Sequence, residues 1–398
     1  MKALKSQRLH IGFFGKTNVG KSSLINKITG QDVSIVSEIE GTTTDVVEKS
    51  MELLPIGPVN FLDTAGVNDK SQLSDERIQK TLKIINRVDI AVIVCDSNGI
   101  DDYELGLIKE FQSLGIPFLI IVNKTDISSI EREVYDNLKV LSDDIILSSA
   151  KSDEKLVYKF KQALIKLLPQ DFVEPPKIAG DLVEEKSTVI LVIPIDKQAP
   201  KGRLILPQVQ VLRDLLDSNC QVLALKETEL ENALKNFKTP PALVITDSQA
   251  FKFVSEIVPE DIALTSFSIL FARLKGDLSV FIKGAKTIDS LNDGDSVLIL
   301  ESCTHHAIED DIGKVKIPAL LKKKTGKNLI IENFSGHDFP DISKYKLIIH
   351  CGACMTNRRE ILSRIIKANQ QQIPITNYGI AISHCLGILD RAVEIFNR

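Results

Sequence analysis

Short apolar runs alternate with amphipathic stretches along almost the whole chain, a pattern that predicts strands followed by helices. In the first third, the apolar runs at residues 8–14, 59–62, 117–122 and 144–147 are short enough for buried strands. A helix is expected from Ser23 onward and another over residues 153–168. Pro169 and the segment 172–177, with Pro175-Pro176, predict a stiff extended linker. A second pattern follows, with strands at 188–195, 221–225 and 242–246 and helices at 207–217, 230–237 and 248–258. From Ala263 a third begins. Its helices are expected at 267–275, 278–291, 317–324, 358–369 and 378–396, and its strands at 296–301, 328–332, 346–350 and 374–376. Strand–helix alternation implies parallel sheets with ligands at the carboxyl ends of the strands. The expected fold is α/β: a P-loop domain over residues 1–170, then smaller parallel-sheet domains over 177–262 and 263–398.

The chemistry falls where those strands end. The first strand runs into Gly15-Lys16-Thr17-Asn18-Val19-Gly20-Lys21-Ser22, followed by Ser23 at the start of a helix. This is G-x-x-x-x-G-K-S in the strand–loop–helix setting that gives it meaning. Backbone N–H groups and the helix N-terminus cradle phosphates there; Lys21 is expected on the β and γ phosphates and Ser22 on Mg2+. Gly41-Thr42-Thr43-Thr44-Asp45 lies in a polar loop, where Thr43 is the expected second Mg2+ ligand and γ-phosphate sensor. Asp63-Thr64-Ala65-Gly66 ends the next strand; Asp63 is expected in the Mg2+ shell and Gly66 at the γ-phosphate. Asn123-Lys124-Thr125-Asp126 ends another strand, and the Asp126 carboxylate matches the paired donors of guanine, which adenine lacks. Ser149-Ala150-Lys151 is expected over the base. GTP is therefore the expected nucleotide, with Lys21, Thr43 and Asp63 as the catalytic group.

Residues 8–168 resemble the GTPases of the TrmE and Era type. Asn18 matches the P-loop asparagine that holds K+ in potassium-activated members. Val67 stands where Ras-like proteins carry a water-orienting Gln, so the resemblance implies K+-stimulated hydrolysis. Thr44 departs from the TrmE pattern, which has Arg before the Asp of the second motif.

Composition narrows the rest. Net charge is −4, there is no Trp and aromatic residues make up 5%, which argues against a nucleic-acid surface. No apolar run is long enough for a bilayer, so a cytoplasmic protein with no membrane association is expected. Six cysteines in a reducing compartment point to metal or redox use. Cys95 and Cys220 sit inside apolar runs and read as core thiols. Cys303, Cys351, Cys354 and Cys385 gather in the last third with His305, His306, His337, His350 and His384. Cys303-Thr304-His305 and His350-Cys351-Gly352-Ala353-Cys354 both follow expected strands, so parallel neighbouring strands would bring three thiols to one spot. Zinc with three Cys and one His, and a 4Fe-4S cluster on three Cys, both satisfy this donor set. His305, His350 and Glu309 are candidates for a fourth ligand or for its support. Glu309-Asp310-Asp311 also reads as helix N-terminal charge, and Cys385 as core.

The spacing Cys303-x-His305 … His350-Cys351-x-x-Cys354, behind a GTPase and a middle α/β layer, resembles the FeFe-hydrogenase maturation GTPases of the HydF family. The resemblance implies a 4Fe-4S cluster on Cys303, Cys351 and Cys354 with one exchangeable iron position. It also implies a di-iron subcluster precursor as cargo, the hydrogenase HydA and radical-SAM maturases HydE and HydG as partners, and homodimerisation through the middle domain. The rival reading is a tRNA-modification or ribosome-assembly GTPase with a structural zinc site. It expects a basic surface or an RNA-binding module in residues 169–398, and neither is visible there.

Overall fold

Three sheets with buried central strands organise the described residues. The computed structural model describes residues 8–30, 47–64, 81–173, 176–195, 204–302, 312–336, 339–352 and 356–397. Residues 1–175 and 176–398 form two compact units.

In the first unit, β1 (Leu9–Phe14), β2 (Val47–Leu53), β3 (Gly57–Asp63), β4 (Ile90–Cys95), β5 (Phe118–Val122) and β6 (Ile145–Leu147) form one sheet in the order β2-β3-β1-β4-β5-β6. Only β2 runs antiparallel, against β3. Every residue of β1 and of β4 is buried, as expected of parallel strands covered on both faces. The covering helices include α1 (Lys21–Thr29), α2 (Asp102–Ser113), α3 (Arg132–Leu141) and α4 (Leu156–Leu167). Phe160 of α4 packs 6.0 Å from Phe13, itself 5.8 Å from Phe61, so aromatic contacts join helix and sheet.

The second unit holds two all-parallel sheets. β7 (Thr188–Val192), β8 (Gln221–Leu225), β9 (Leu243–Thr246) and β10 (Ala263–Ser266) lie in the order β10-β9-β7-β8. β11 (Ser296–Glu301), β12 (Ile330–Ser335), β13 (Leu347–His350) and β14 (Ile375–Asn377) lie in the order β12-β11-β13-β14. Between them run α5 (Leu206–Asp217), α6 (Leu230–Asn236), α7 (Phe251–Ile257), α8 (Phe267–Lys275), α9 (Leu278–Lys286), α10 (Ile317–Thr325), α11 (Arg358–Gln370), α12 (Tyr378–Cys385) and α13 (Leu389–Val393). Ile190, Val244 and Leu264 of the first sheet share one core with Leu298, Leu300 and Ile348 of the second. That shared core explains why residues 176–398 behave as one unit. The Arg391 guanidinium adds a polar tie: it donates to the carbonyls of Ser255, Val258 and Pro259 at 2.7–2.9 Å, capping the end of α7.

Three local expectations change. Ala263–Ser266, where a third layer was expected to begin, is an edge strand of the middle sheet, paired with β9. The expected helix over 378–396 breaks into α12 and α13, because Gly387 takes a left-handed φ of 76° that stops the first helix. Gln170–Val173 forms a helical turn rather than extended linker; Pro169 opens it and its carbonyl accepts from the Phe172 amide at 2.9 Å. Residues 174 and 175 lie outside the described residues.

Candidate functional site: a nucleotide cradle and a strand-end cysteine

The phosphate loop joins β1 to α1. Gly15 has a φ of 136°, and a Cβ there would lie 2.2 Å from the Val94 carbonyl oxygen. Gly20 has a φ of 98°, and a Cβ there would meet Asn123 Nδ2 at 2.2 Å. Side chains are therefore excluded where the loop turns over the sheet. Asn18 is exposed at a left-handed φ of 63°. The Lys21 ammonium is buried beneath the loop and donates to the carbonyls of Gly15 at 2.9 Å and Lys16 at 2.8 Å. Burial lowers its pKa, opposed by the Asp63 charge.

Register brings the other motifs to the same edge. Asp63 ends β3 opposite Phe13 of β1, and Thr64 donates from both N and Oγ1 to the Phe13 carbonyl. Ser22 Oγ donates to Asp63 Oδ2 at 2.5 Å, so the two expected Mg2+-shell residues are adjacent. Burial raises the Asp63 pKa, opposed by Ser22 and Lys21. Asn123 straps the site together: Nδ2 donates to the Val19 carbonyl at 2.9 Å, and Oδ1 accepts from the Ala150 amide at 3.0 Å. Lys124 follows at a left-handed φ of 61°, and Asp126 is exposed beside it. Ser149 Oγ accepts from the amides of Lys151 and Ser152, which shapes the loop expected over the base. Thr43 and Gly66 lie outside the described residues.

Two contacts were not anticipated. Lys16 N donates to buried Glu104 Oε1 at 3.1 Å, and Lys16 Nζ pairs with Asp101 Oδ2 at 2.7 Å. Asp101 and Glu104 form the capping box of α2. The spacing Asp-x-x-Glu before an apolar run announces such a box in sequence, but not its contact with the phosphate loop. Burial pushes the Glu104 carboxyl up to about 7, and the Glu104 hydrogen bond lowers Asp101 to about 2.

The second candidate site lies on the last sheet. After β11 the chain crosses to β12 on one side, and after β13 it crosses to β14 on the other. The crevice beyond the carboxyl ends of β11 and β13 is therefore the topological switch point, where open α/β sheets take ligands. Leu300 pairs with His350, so Cys351 lies one position beyond that pair and Cys303 three beyond Leu300. The Ser302 amide, immediately before Cys303, donates to Cys351 Sγ at 3.3 Å. Ser302 and Cys351 thus lie side by side at this edge. Cys303, His305, Glu309 and Cys354 lie outside the described residues, and among those described no group of three or more His, Cys, Asp or Glu forms a metal site.

His350 is buried with both ring nitrogens engaged. Nδ1 lies 2.7 Å from the Cys351 carbonyl oxygen and Nε2 lies 2.5 Å from Arg364 Nη1. Burial, reinforced by Arg364, pushes its pKa down to about 3. A neutral ring with its proton on Nδ1 donates to Cys351 and accepts from Arg364. Arg364 was not anticipated. It is the largest fully buried side chain among the described residues. It donates to Ser302 Oγ at 2.9 Å and the Gly336 carbonyl at 3.0 Å, and pairs with Glu360 at 2.8 Å. Removing one member of a buried pair of this kind costs about 3–5 kcal/mol. The other unclaimed groups sit apart from this edge: His384 pairs with Asp289 at 2.9 Å, and burial pushes Cys385 up to about 11. Cys95 and Cys220 are buried, and burial raises both thiols.

A phosphate loop with its asparagine strap, joined in one chain to two further parallel sheets, defines a P-loop GTPase with an appended α/β unit. Residues 178–276 match the hydrogen maturase F dimerization domain and residues 279–395 the hydrogen maturase F tetramerization domain. Residues 10–124 match the 50S ribosome-binding GTPase model. The two maturase models together cover more than half of the chain, and the chain belongs to the hydrogen maturase F family, the hydrogenase-maturation GTPases. GTPase Der from Wolinella succinogenes is 32% identical over 171 residues, covering 40% of this chain and 36% of that protein. GTPase Der from Clostridium botulinum strain Okra is 34% identical over 140 residues, covering 34% of this chain and 32% of that protein. The chain thus spans about a third of the length of these curated relatives. Among solved structures, an Aquifex aeolicus Era variant bound to GDP.AlF4- is 18% identical with a TM-score of 0.35, covering 55% of this chain and 93% of that one. The G domain of the T. maritima FeoB iron transporter is 24% identical with a TM-score of 0.32, covering 40% and 98%. Among the described residues no helix is long and apolar enough to cross a membrane.

Proposed function

We propose that the chain is a GTP-switched iron–sulfur scaffold, which carries a 4Fe-4S cluster on Cys303, Cys351 and Cys354 and holds a di-iron precursor for delivery to apo-hydrogenase. The observation that carries this reading is the pairing at the β11/β13 switch point. An N–H aimed at Cys351 Sγ from the residue before Cys303 suits a thiolate ligand, since cluster sulfurs are tuned by such hydrogen bonds. When bound, the cluster supplies an iron position with an exchangeable ligand. Cys351 would hold it from one strand end and Cys303 from the other, with Cys354 closing the Cys-x-x-Cys turn. His350, engaged at both nitrogens, would support Cys351 from beneath. His305 and Glu309 are the candidates for the fourth iron position.

At the nucleotide site, Mg2+ would supply charge neutralisation between the phosphates, held by Ser22 and Thr43 with Asp63 in its shell. Lys21 would bind the β and γ phosphates, Asp126 the guanine, and Asn18 a stimulating K+. Homodimerisation would use the middle sheet, whose edge strand β8 exposes Gln221, Leu223 and Ala224, a row of unpaired backbone groups open to a second copy. HydE, HydG and HydA would be the partners, in the cytoplasm.

The test is anaerobic reconstitution with iron and sulfide. The wild-type protein should be brown, with a charge-transfer band bleached by reduction. Cys351→Ser should lose that band and hydrogenase activation while keeping its GTP hydrolysis rate. A colourless, zinc-loaded wild-type protein would favour the structural-zinc reading instead.

A further inference from the structure

One side chain reaches four described segments at the β11/β13 edge. Arg364 Nη1 lies on Ser302 Oγ and His350 Nε2, and Nη2 lies on the Gly336 carbonyl and Glu360 Oε1. Ser302 precedes Cys303, His350 precedes Cys351, and Gly336 ends the β12 segment. Arg364 itself sits on α11, the helix that follows Cys354. A packed core gains little from a buried ion pair, since apolar groups of the same volume stabilise as well or better. A guanidinium is favoured where several acceptors must be held by one rigid fork. We infer that Arg364 is a positioning residue for the cysteine ligands: it fixes the Ser302 amide on Cys351 Sγ and holds the His350 ring at Nε2, with Nδ1 turned to the Cys351 carbonyl. The inference rests on the iron–sulfur reading above and names the device that orients its ligands.

The chain of contacts is continuous. Arg364 Nη1 holds Ser302 by its hydroxyl, and the amide of the same residue donates to Cys351 Sγ at 3.3 Å. The same Nη1 donates to His350 Nε2, which turns Nδ1 of the ring to the Cys351 carbonyl. Cys351 is thus gripped at sulfur and at carbonyl by two groups that both depend on Arg364. The charged neighbours are Glu360, which neutralises the guanidinium, and Lys275, whose Nζ donates to the Thr356 carbonyl at 3.1 Å just before α11. Outer-sphere partners of this kind change metal affinity by about 10–100-fold when removed.

The test uses the full chain with three variants. Arg364→Lys keeps the charge but loses the fork. Arg364→Met removes both. Glu360→Gln with Arg364→Met removes the whole pair, so no charge is left buried alone. Each is reconstituted with iron and sulfide, then followed by iron loss to a chelator, by the spectrum of the reduced cluster and by redox titration, with GTP hydrolysis and thermal melting as controls. The expected result is unchanged GTP hydrolysis, cluster loss about 10–100-fold faster, and a more negative midpoint potential as the N–H···S contact loosens. Folded, loaded variants with wild-type spectrum, potential and chelator rate would overturn the inference and leave the iron–sulfur reading standing. If the double variant also failed to fold, Arg364 would be a structural residue only, which overturns it too. A wild-type protein that loads no iron–sulfur cluster would remove the reading beneath it, an outcome visible before any variant is made.

Discussion

Asn123→Ala tests whether the nucleotide site is one body or a set of independent loops. The residue is 2% exposed and bonds the Val19 carbonyl at 2.9 Å and the Ala150 amide at 3.0 Å. Truncation removes both bonds and leaves one acceptor and one donor without their side-chain partner. At about 1–1.5 kcal/mol per bond, the loss is about 2–3 kcal/mol. Divided between folding and binding, it should lower the melting temperature of the GTPase unit by about 4–12 °C if it falls wholly on stability. If it falls wholly on affinity, it should weaken GDP binding by about 30- to 150-fold. Denaturant unfolding and titration of a fluorescent GDP analogue into the full chain measure the two shares. Guanine preference over adenine should persist, because Asp126 is untouched. Asn123→Asp, which keeps the acceptor for Ala150 but sets a buried carboxylate oxygen against the Val19 carbonyl, should be at least as destabilised as Asn123→Ala. A variant with wild-type stability and affinity would show that the strap couples nothing; loss of base preference alone would show that Asn123 reads the base instead.

Two further outcomes follow from the geometry. Glu104 is raised to about 7 from 4.5 by burial, so its contribution to stability is present below pH 4.5 and lost as pH rises through about 7. Between pH 5 and 8 the melting temperature of wild type should fall relative to Glu104→Gln, and parallel pH profiles would refute the assignment; Asp101, lowered to about 2, titrates below this window. Gly284 of α9 packs on β14 so closely that a Cβ would lie 2.0 Å from the Ile375 carbonyl oxygen. Gly284→Ala should therefore destabilise residues 176–398 by about 1–3 kcal/mol through overpacking, seen in melting curves, while leaving GTP affinity unchanged.

The elements that could be read from sequence were those that carried their own signal. β8, β11 and α8 have the expected bounds, because an apolar run or a helical period begins and ends within each. The phosphate loop and Asn123 were legible because their residue types are demanded by backbone geometry and by phosphate. Arg364 was not, because an Arg on an amphipathic helix normally faces water; nothing local shows that its face meets Ser302, 62 residues earlier. The Lys16–Glu104 contact was hidden for the same reason: the capping box is local, but its second partner lies 88 residues away. Ala263–Ser266 was misplaced because four residues carry too little periodicity to say which sheet they join.

The three sheets share one rule, and the middle one shows what it looks like without a ligand motif. In the first sheet, β1 leads away on one side and β4 on the other, and the phosphate loop fills the crevice between them. In the last sheet Ser302 and Cys351 lie at the corresponding edge. The middle sheet has the same switch point between β7 and β9. There Gln208 Nε2 donates to Asp247 Oδ2 at 2.8 Å, and the Ser248 and Ser268 hydroxyls meet at 2.6 Å. At the middle edge these polar side chains meet one another, whereas at the last edge the Cys351 sulfur accepts an N–H from Ser302, whose hydroxyl is held by the buried Arg364 guanidinium. The same topology thus carries different side chains at each edge, and what an edge can hold is set by those side chains rather than by the sheet.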